Sequence, residues 1–144
     1  MEITSRISRR LMELPEAIDI RQEVFVEEQG FSGEFDDIDD KAVHAVIYVD
    51  GEPAAAGRAF FENDPKEIHI GRICVLPRFR KNGLGSEVMS VLEEEAVKLG
   101  ASSAVLSAQV RASEFYKKLG YTAFGDEYYD EYCPHVSMRK TLGE

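Results

Sequence analysis

The stretch Ile68-His69-Ile70-Gly71-Arg72-Ile73-Cys74-Val75-Leu76-Pro77, followed by Arg78-Phe79-Arg80-Lys81-Asn82-Gly83-Leu84-Gly85-Ser86, decides how this chain folds. Its first half is rich in β-branched residues and closes on a proline, through which a central strand cannot continue. Beyond Gly83, the residues Leu84, Val88, Val91, Leu92, Ala96 and Leu99 recur at helical spacing, with Glu87, Glu93, Glu94 and Lys98 on the wetter side. The glycines therefore sit at a strand-to-helix junction. Residues without Cβ let the backbone turn tightly there, and the first N–H groups of the helix have no internal acceptor. Such a terminus suits an anion, and Arg78, Arg80 and Lys81 gather positive charge in a chain of formal net charge −10. The run reads as a pyrophosphate cradle over Arg80, Lys81, Asn82, Gly83, Leu84, Gly85 and Ser86. Two common cradles do not fit. Gly83-Leu84-Gly85-Ser86-Glu87-Val88 lacks the third glycine of a dinucleotide fingerprint, and the Gly-Lys-Ser/Thr ending of a P-loop is missing.

The pattern that remains, R-x-x-G-x-G after a strand ending Val-Leu-Pro, resembles the acyl-CoA-binding motif of the GNAT N-acetyltransferase superfamily. A second block follows at the expected distance. Strand-like Ala104 to Gln109 leads into Ala112-Ser113-Glu114-Phe115-Tyr116-Lys117-Lys118-Leu119-Gly120-Tyr121, which is similar to the superfamily's A-x-x-F-Y-x-K-x-G-F/Y signature. Ile20 to Gln29, Asp36 to Asp40 with Ala42 and His44, and Pro134 to Met138 resemble the ElaA-like branch, so the likeness spans nearly the whole chain.

The order of elements agrees with it. A strand is expected within Glu2 to Ile7, then a helix from Pro15 to Glu28 with Leu14, Ile18 and Phe25 facing inward. Three antiparallel strands follow, Val43 to Val49, Ala54 to Phe61 and Glu67 to Leu76, the first two joined by a tight turn at Asp50-Gly51. A long helix from Gly83 to Leu99, a strand from Ser103 to Ala108, a short helix from Ala112 to Leu119 and strands Tyr121 to Phe124 and His135 to Lys140 complete the chain. This is a mixed α/β (α+β) order with a mostly antiparallel sheet flanked by helices. One domain over residues 1–144 is expected, since 144 residues with 44% hydrophobic content suffice for one core and fall short of two.

Composition narrows the partners. With 27 acidic against 17 basic residues, the chain repels nucleic acid and anionic membranes. No run approaches the roughly 20 apolar residues of a membrane span, and the N-terminus lacks the build of a signal peptide, so a cytoplasmic protein is expected. Cys74 and Cys133 and the histidines at 44, 69 and 135 show no metal-ligand spacing, and no metal is implied. Cys74 reads as a small strand hydrophobe. The acidic stretch Glu34 to Asp40 reads as a solvated loop, the alternative being that it guides a cationic substrate.

The resemblance supplies chemistry: direct transfer of an acetyl group from acetyl-CoA, the cosubstrate, to a primary amine of a small molecule or peptide. A noncatalytic acyl-CoA-binding module is the alternative. Carried over by position, Ile73, Cys74 and Val75 contact pantetheine, residues Arg80 to Ser86 the pyrophosphate, and Gln109 the cofactor's amide or carbonyl groups. For Ile73 and Val75 core packing is an equally good account, and Gln109 could simply satisfy neighbouring backbone. Tyr116 aligns with the superfamily's general acid, against the alternative of an aromatic packed on the cofactor tail. A lysine-like amine, with a pKa of about 10.4, must lose a proton before it attacks. His69 stands at the offset where histone-type members place a catalytic glutamate, and simple alternation puts it on one face with Gly71, Ile73 and Val75 unless a bulge intervenes. An edge histidine facing solvent is the alternative reading. His135, Glu131, His44, Glu27 and Glu28 are further candidates for the base. A homodimer stays open, since members of the superfamily commonly pair.

Overall fold

The computed structural model of the chain describes residues 1–130 and 132–143. Among the described residues, seven strands form one sheet in the order β1-β2-β3-β4-β5-β7-β6. They are β1 (Ile3–Ser8), β2 (Val43–Val49), β3 (Glu52–Phe61), β4 (Glu67–Val75), β5 (Ser103–Gln109), β6 (Thr122–Asp130) and β7 (Cys133–Thr141). Every neighbouring pair is antiparallel except β4 and β5, which run parallel across the centre. The connection between those two strands is the long helix α2 (Leu84–Lys98), as a parallel crossover requires.

Helices cover both faces. On one, Leu84, Val88, Met89, Leu92 and Ala96 of α2 pack on Ala45, Ile47, Ala55, Ile68, Ile70 and Leu106. Gly57 permits this close approach: a Cβ there would lie 2.5 Å from Ile73 Cδ1 and 2.7 Å from Val88 Cγ1. On the other face, helix α1 (Pro15–Arg21) buries Leu14, Ala17, Ile20 and Val24 against Val46, Tyr48, Ala56 and Cys74. The inward stripe is thus Leu14, Ala17, Ile20 and Val24 with Phe25; the expected Ile18 is only half-buried. Past Arg21 the helix widens to π geometry over Gln22–Glu28 and closes with Phe31 N–H donating to Phe25 O at 2.8 Å.

The β2–β3 turn is as expected, with Asp50 at φ +50° and Gly51 at φ +84°, the two positive angles of a type I′ turn. Two expectations change. Strand β6 runs on to Asp130, well past Phe124, because a step in register around Gly125 (φ +74°) lets Tyr128 resume pairing opposite His135. The second change is in β4. Ala56 pairs with Cys74 but Arg58 pairs with Gly71, so Arg72 and Ile73 together oppose Gly57. Arg72 takes φ +56° to form this bulge. Below it, Ile68 and Ile70 face α2; above it, Ile73 and Val75 face α2 and Cys74 faces α1. The bulge reverses the alternation, so His69 does not share a face with Ile73 and Val75.

Candidate active site

The parallel ladder between β4 and β5 covers only Glu67–Ile70 against Ser103–Leu106. Beyond those residues the strands splay, and the backbone groups of β4 that would have met β5 need other partners. The gap opens into a cavity of about 860 Å³, large enough for an extended ligand of several groups. Ile73, Cys74 and Val75 line one side and Leu106, Ser107 and Gln109 the other. The cradle closes one end. Arg80, Lys81, Gly83, Leu84, Gly85 and Ser86 line it, with the start of α2 beneath them.

The loop holds its shape through a few specific residues. Positive φ falls on Lys81 (+71°) and Gly83 (+76°), while Asn82 contributes its side chain, donating from Nδ2 to Phe79 O at 3.0 Å and Arg80 O at 3.3 Å. Asn82 does not line the cavity. Arg80 grips Glu28 with two parallel bonds of 2.8 and 2.7 Å and donates from Nε to Val75 O at 2.9 Å. Its fork holds the Glu28 carboxyl below the usual range. Arg80 thereby ties the loop to the end of β4 and to the π segment. At Gly85 a Cβ would come within 3.0 Å of the Phe115 ring, so the glycine lets α3 (Ser113–Lys118) lie against the cradle.

Tyr116 lines the cavity from α3, edge-on to Phe115 and Tyr121. Desolvation in the wall, and secondarily the nearby Cys74, push its phenol pKa up, so it stays a hydrogen donor at any ordinary pH. Cys74 is 5% exposed and burial pushes its thiol up to about 12. It behaves as the packing residue the sequence suggests. Gln109 lines the cavity too, donating to Gln29 Oε1 and accepting from Arg111 Nε.

His69 lies elsewhere. Its ring stacks on Phe60 at 5.2 Å and its Nε2 is 3.8 Å from Glu62, outside the cavity lining. Glu131 falls outside the described residues.

The acidic stretch is not a solvated loop throughout. Asp37 and Asp40 face solvent, but Glu34 and Asp39 are each only 5% exposed. Arg21 reaches Glu34 at 2.9 Å and Asp39 at 2.9 Å; Arg58 reaches Asp36 at 2.7 Å and Asp39 at 2.8 Å; Arg72 reaches Glu34 at 3.1 Å. Three guanidiniums thus meet three carboxylates, and the cluster is neutral. Burial pushes Glu34 upward even so, whereas at Asp39 the bonds from Arg21 and Arg58 outweigh desolvation and lower the pKa. The sequence carried one sign of this: Arg21 falls at helical spacing on the apolar stripe of Leu14, Ala17 and Val24. Glu34 and Arg72, with Phe31, form the cavity wall opposite the cradle. No spacing in the sequence announced the bulge that aims Arg72 there.

Comparison with known proteins shows the family. The acetyltransferase (GNAT) domain profile matches residues 14–142. The chain belongs to the GNAT acetyltransferase family. The uncharacterised N-acetyltransferase YjcF of Bacillus subtilis strain 168 is 36% identical over 137 residues, covering 93% of this chain and 96% of that protein. Among solved structures, one from Lactobacillus plantarum assigned as an N-acetyltransferase superposes with a TM-score of 0.89 at 29% identity, covering 99% of both chains. Escherichia coli ElaA superposes with a TM-score of 0.85 at 23% identity over 96% of this chain and 99% of its own. This GNAT protein is therefore an acyltransferase by family, and it shares the fold of ElaA. Among its described residues no helix is long and apolar enough to cross a membrane, and no group of three His, Cys, Asp or Glu side chains is placed to hold a metal ion.

Proposed function

We propose that this GNAT protein moves the acetyl group of acetyl-CoA directly to a primary amine of a small molecule or peptide, both bound at once. The observation that carries this reading is the cavity itself: one continuous space runs from a glycine cradle, past Tyr116, to a wall carrying Glu34 and Asp130. The residues present fit acetyl-CoA. Backbone N–H groups at Gly83 to Ser86 and the Lys81 ammonium hold the pyrophosphate, with Arg80 in the cavity wall braced on Glu28 and Asn82 shaping the loop from behind. The main-chain edge of Ile73, Cys74 and Val75 that β5 leaves uncovered takes the pantetheine arm as a strand takes its neighbour, and Gln109 meets its amides from the β5 side. Backbone N–H on the splayed strand polarises the acyl carbonyl.

Tyr116 donates to the sulfur as the C–S bond breaks. Its raised pKa makes a lone transfer to a thiolate uphill, so the proton moves as the attacking nitrogen gives up its own. The net charge of −10 favours a cationic acceptor through the field of the whole chain, since Glu34 in the wall is itself neutralised by Arg21 and Arg72.

Calorimetric titration with acetyl-CoA, CoA, ATP and NAD in parallel tests the reading. Saturable one-site binding of acetyl-CoA and CoA alone is expected, followed by amine-dependent thiol release. Binding of ATP or NAD only, or of nothing, sinks it.

A further inference from the structure

The direct-transfer reading leaves one proton unassigned, the one the acceptor ammonium loses before attack. Of the three histidines only His135 lines the cavity. His44 is sealed within the charge cluster, its Nε2 2.9 Å from Asp39 O, and His69 sits on Phe60 away from the site. His135 lies in β7 between Gln109 of β5 and Tyr128 of β6. Its Nδ1 is 2.9 Å from Cys133 O. A carbonyl only accepts, so in the neutral ring Nδ1 carries the hydrogen and Nε2 keeps its lone pair. Among the described residues Nε2 has no hydrogen-bond partner, and it is not among the fully buried unpaired atoms. The ring is held flat: it stacks on Tyr128 at 6.0 Å, and the Tyr128 hydroxyl is hydrogen-bonded to Ser107 Oγ. The residue as a whole is 7% exposed, and its free nitrogen keeps some of that access.

The other ionisable groups at that end compete poorly. Glu34 is engaged by Arg21 and Arg72. Asp130 is solvent-exposed, so water competes for its carboxylate. Arg72 and Arg111 are permanent cations, and Tyr116 and Tyr128 enter as hydrogen donors.

We propose that His135 Nε2 is the general base of this acetyltransferase, a reading that rests on the amine-transfer function above. Neutral Nε2 takes one proton from the acceptor ammonium, leaving an imidazolium and a nitrogen lone pair. That lone pair forms the C–N bond to the acetyl carbon while the C–S bond breaks, with its electron pair leaving on sulfur. The second nitrogen proton reaches the sulfur through the Tyr116 hydroxyl. The imidazolium then releases its proton to water, so ammonium and acetyl-CoA become amide, CoA thiol and one proton.

The test uses two nucleophiles, benzylamine and hydroxylamine, with His135→Asn. The asparagine amide keeps a donor for Cys133 O but supplies no base. Benzylamine is an ammonium at pH 7 and hydroxylamine is already neutral. The variant should lose about 100-fold in kcat/KM toward benzylamine, with the acid limb of its pH profile gone, and stay within about threefold toward hydroxylamine. Free imidazole should restore part of the benzylamine rate. Equal losses on both nucleophiles, or none on either, overturn the assignment, because a structural role does not distinguish charged from neutral amines. A wild-type protein that binds acetyl-CoA but acetylates neither nucleophile refutes the amine-transfer reading itself, and the base with it.

Discussion

Asp39→Asn isolates what the buried charge cluster contributes. The Asp39 carboxylate accepts from Arg21 at 2.9 and 3.2 Å, from Arg58 at 2.8 Å and from Asp36 N–H at 3.3 Å. Asparagine fills the same space but turns one acceptor oxygen into a donor and removes one negative charge. The neutral cluster becomes a net cation around Arg21 and Arg58, which are 1% and 3% exposed. Breaking such a pair costs about 3–5 kcal/mol. Set against the roughly 5–15 kcal/mol of a whole domain, that is a large share. For a chain of this size the melting temperature should fall on the order of 10 °C. Equilibrium urea unfolding at pH 7 beside a thermal scan measures it. The pH dependence gives a second check. Burial raises the Asp39 carboxyl, but the Arg21 and Arg58 bonds win and hold it below its ordinary 3.8. Its contribution is therefore full above that pH and is lost as pH falls through the lower folded value. The gap between wild type and variant should close in acid. A variant within about 1 kcal/mol of wild type at pH 7, with no closing of the gap, would falsify the view that the cluster is a coupled unit.

Three further outcomes are expected. Tyr116→Phe should lower kcat about 100-fold while leaving acetyl-CoA affinity nearly unchanged, and turnover equal to wild type at every pH would remove the acid role. Gly83→Asp puts a carboxylate at the phosphate end and a Cβ at φ +76°, so CoA affinity should fall at least about tenfold with unaltered circular dichroism; undiminished affinity in calorimetry would count against the cradle. A thiol reagent should label Cys133 alone in the native protein and Cys74 only after unfolding, since the Cys74 thiol is buried and pushed up to about 12. Two rapid equivalents from native protein would contradict that burial.

The elements most legible in the sequence were those set by local periodicity. Val43–Val49 matches the expected strand residue for residue, and α2 agrees to within one residue at each end, because alternation and helical spacing act over a few neighbours. The turn before α2 was legible because Gly83 answers a local demand, a positive φ, whereas the approach of Phe115 to Gly85 comes from a distant helix. What escaped depends on distant partners. Glu34 and Asp39 turn inward because Arg21, Arg58 and Arg72 converge from α1, β3 and β4, and nothing in a run of acidic residues reveals such company. The π widening at Gln22–Glu28 carries no composition of its own. His69 was misplaced for one reason, an unannounced bulge between it and the residues it was phased against.

That same bulge sets one residue of β4 outside the strand's alternation. Arg72 is the extra residue: it and Ile73 share the place opposite Gly57, while Ile70, Ile73 and Val75 meet the α2 face and Cys74 the α1 face. Excising Arg72 would leave Ile73 alone in that place and the flanking side chains on their present faces; what would go is the guanidinium beside Glu34. Replacing the arginine by glycine would relieve its positive φ and keep the extra residue, at the same loss of charge. The additional residue is thus spare to the register of the strand, and its value lies in the cation it delivers to the cavity wall.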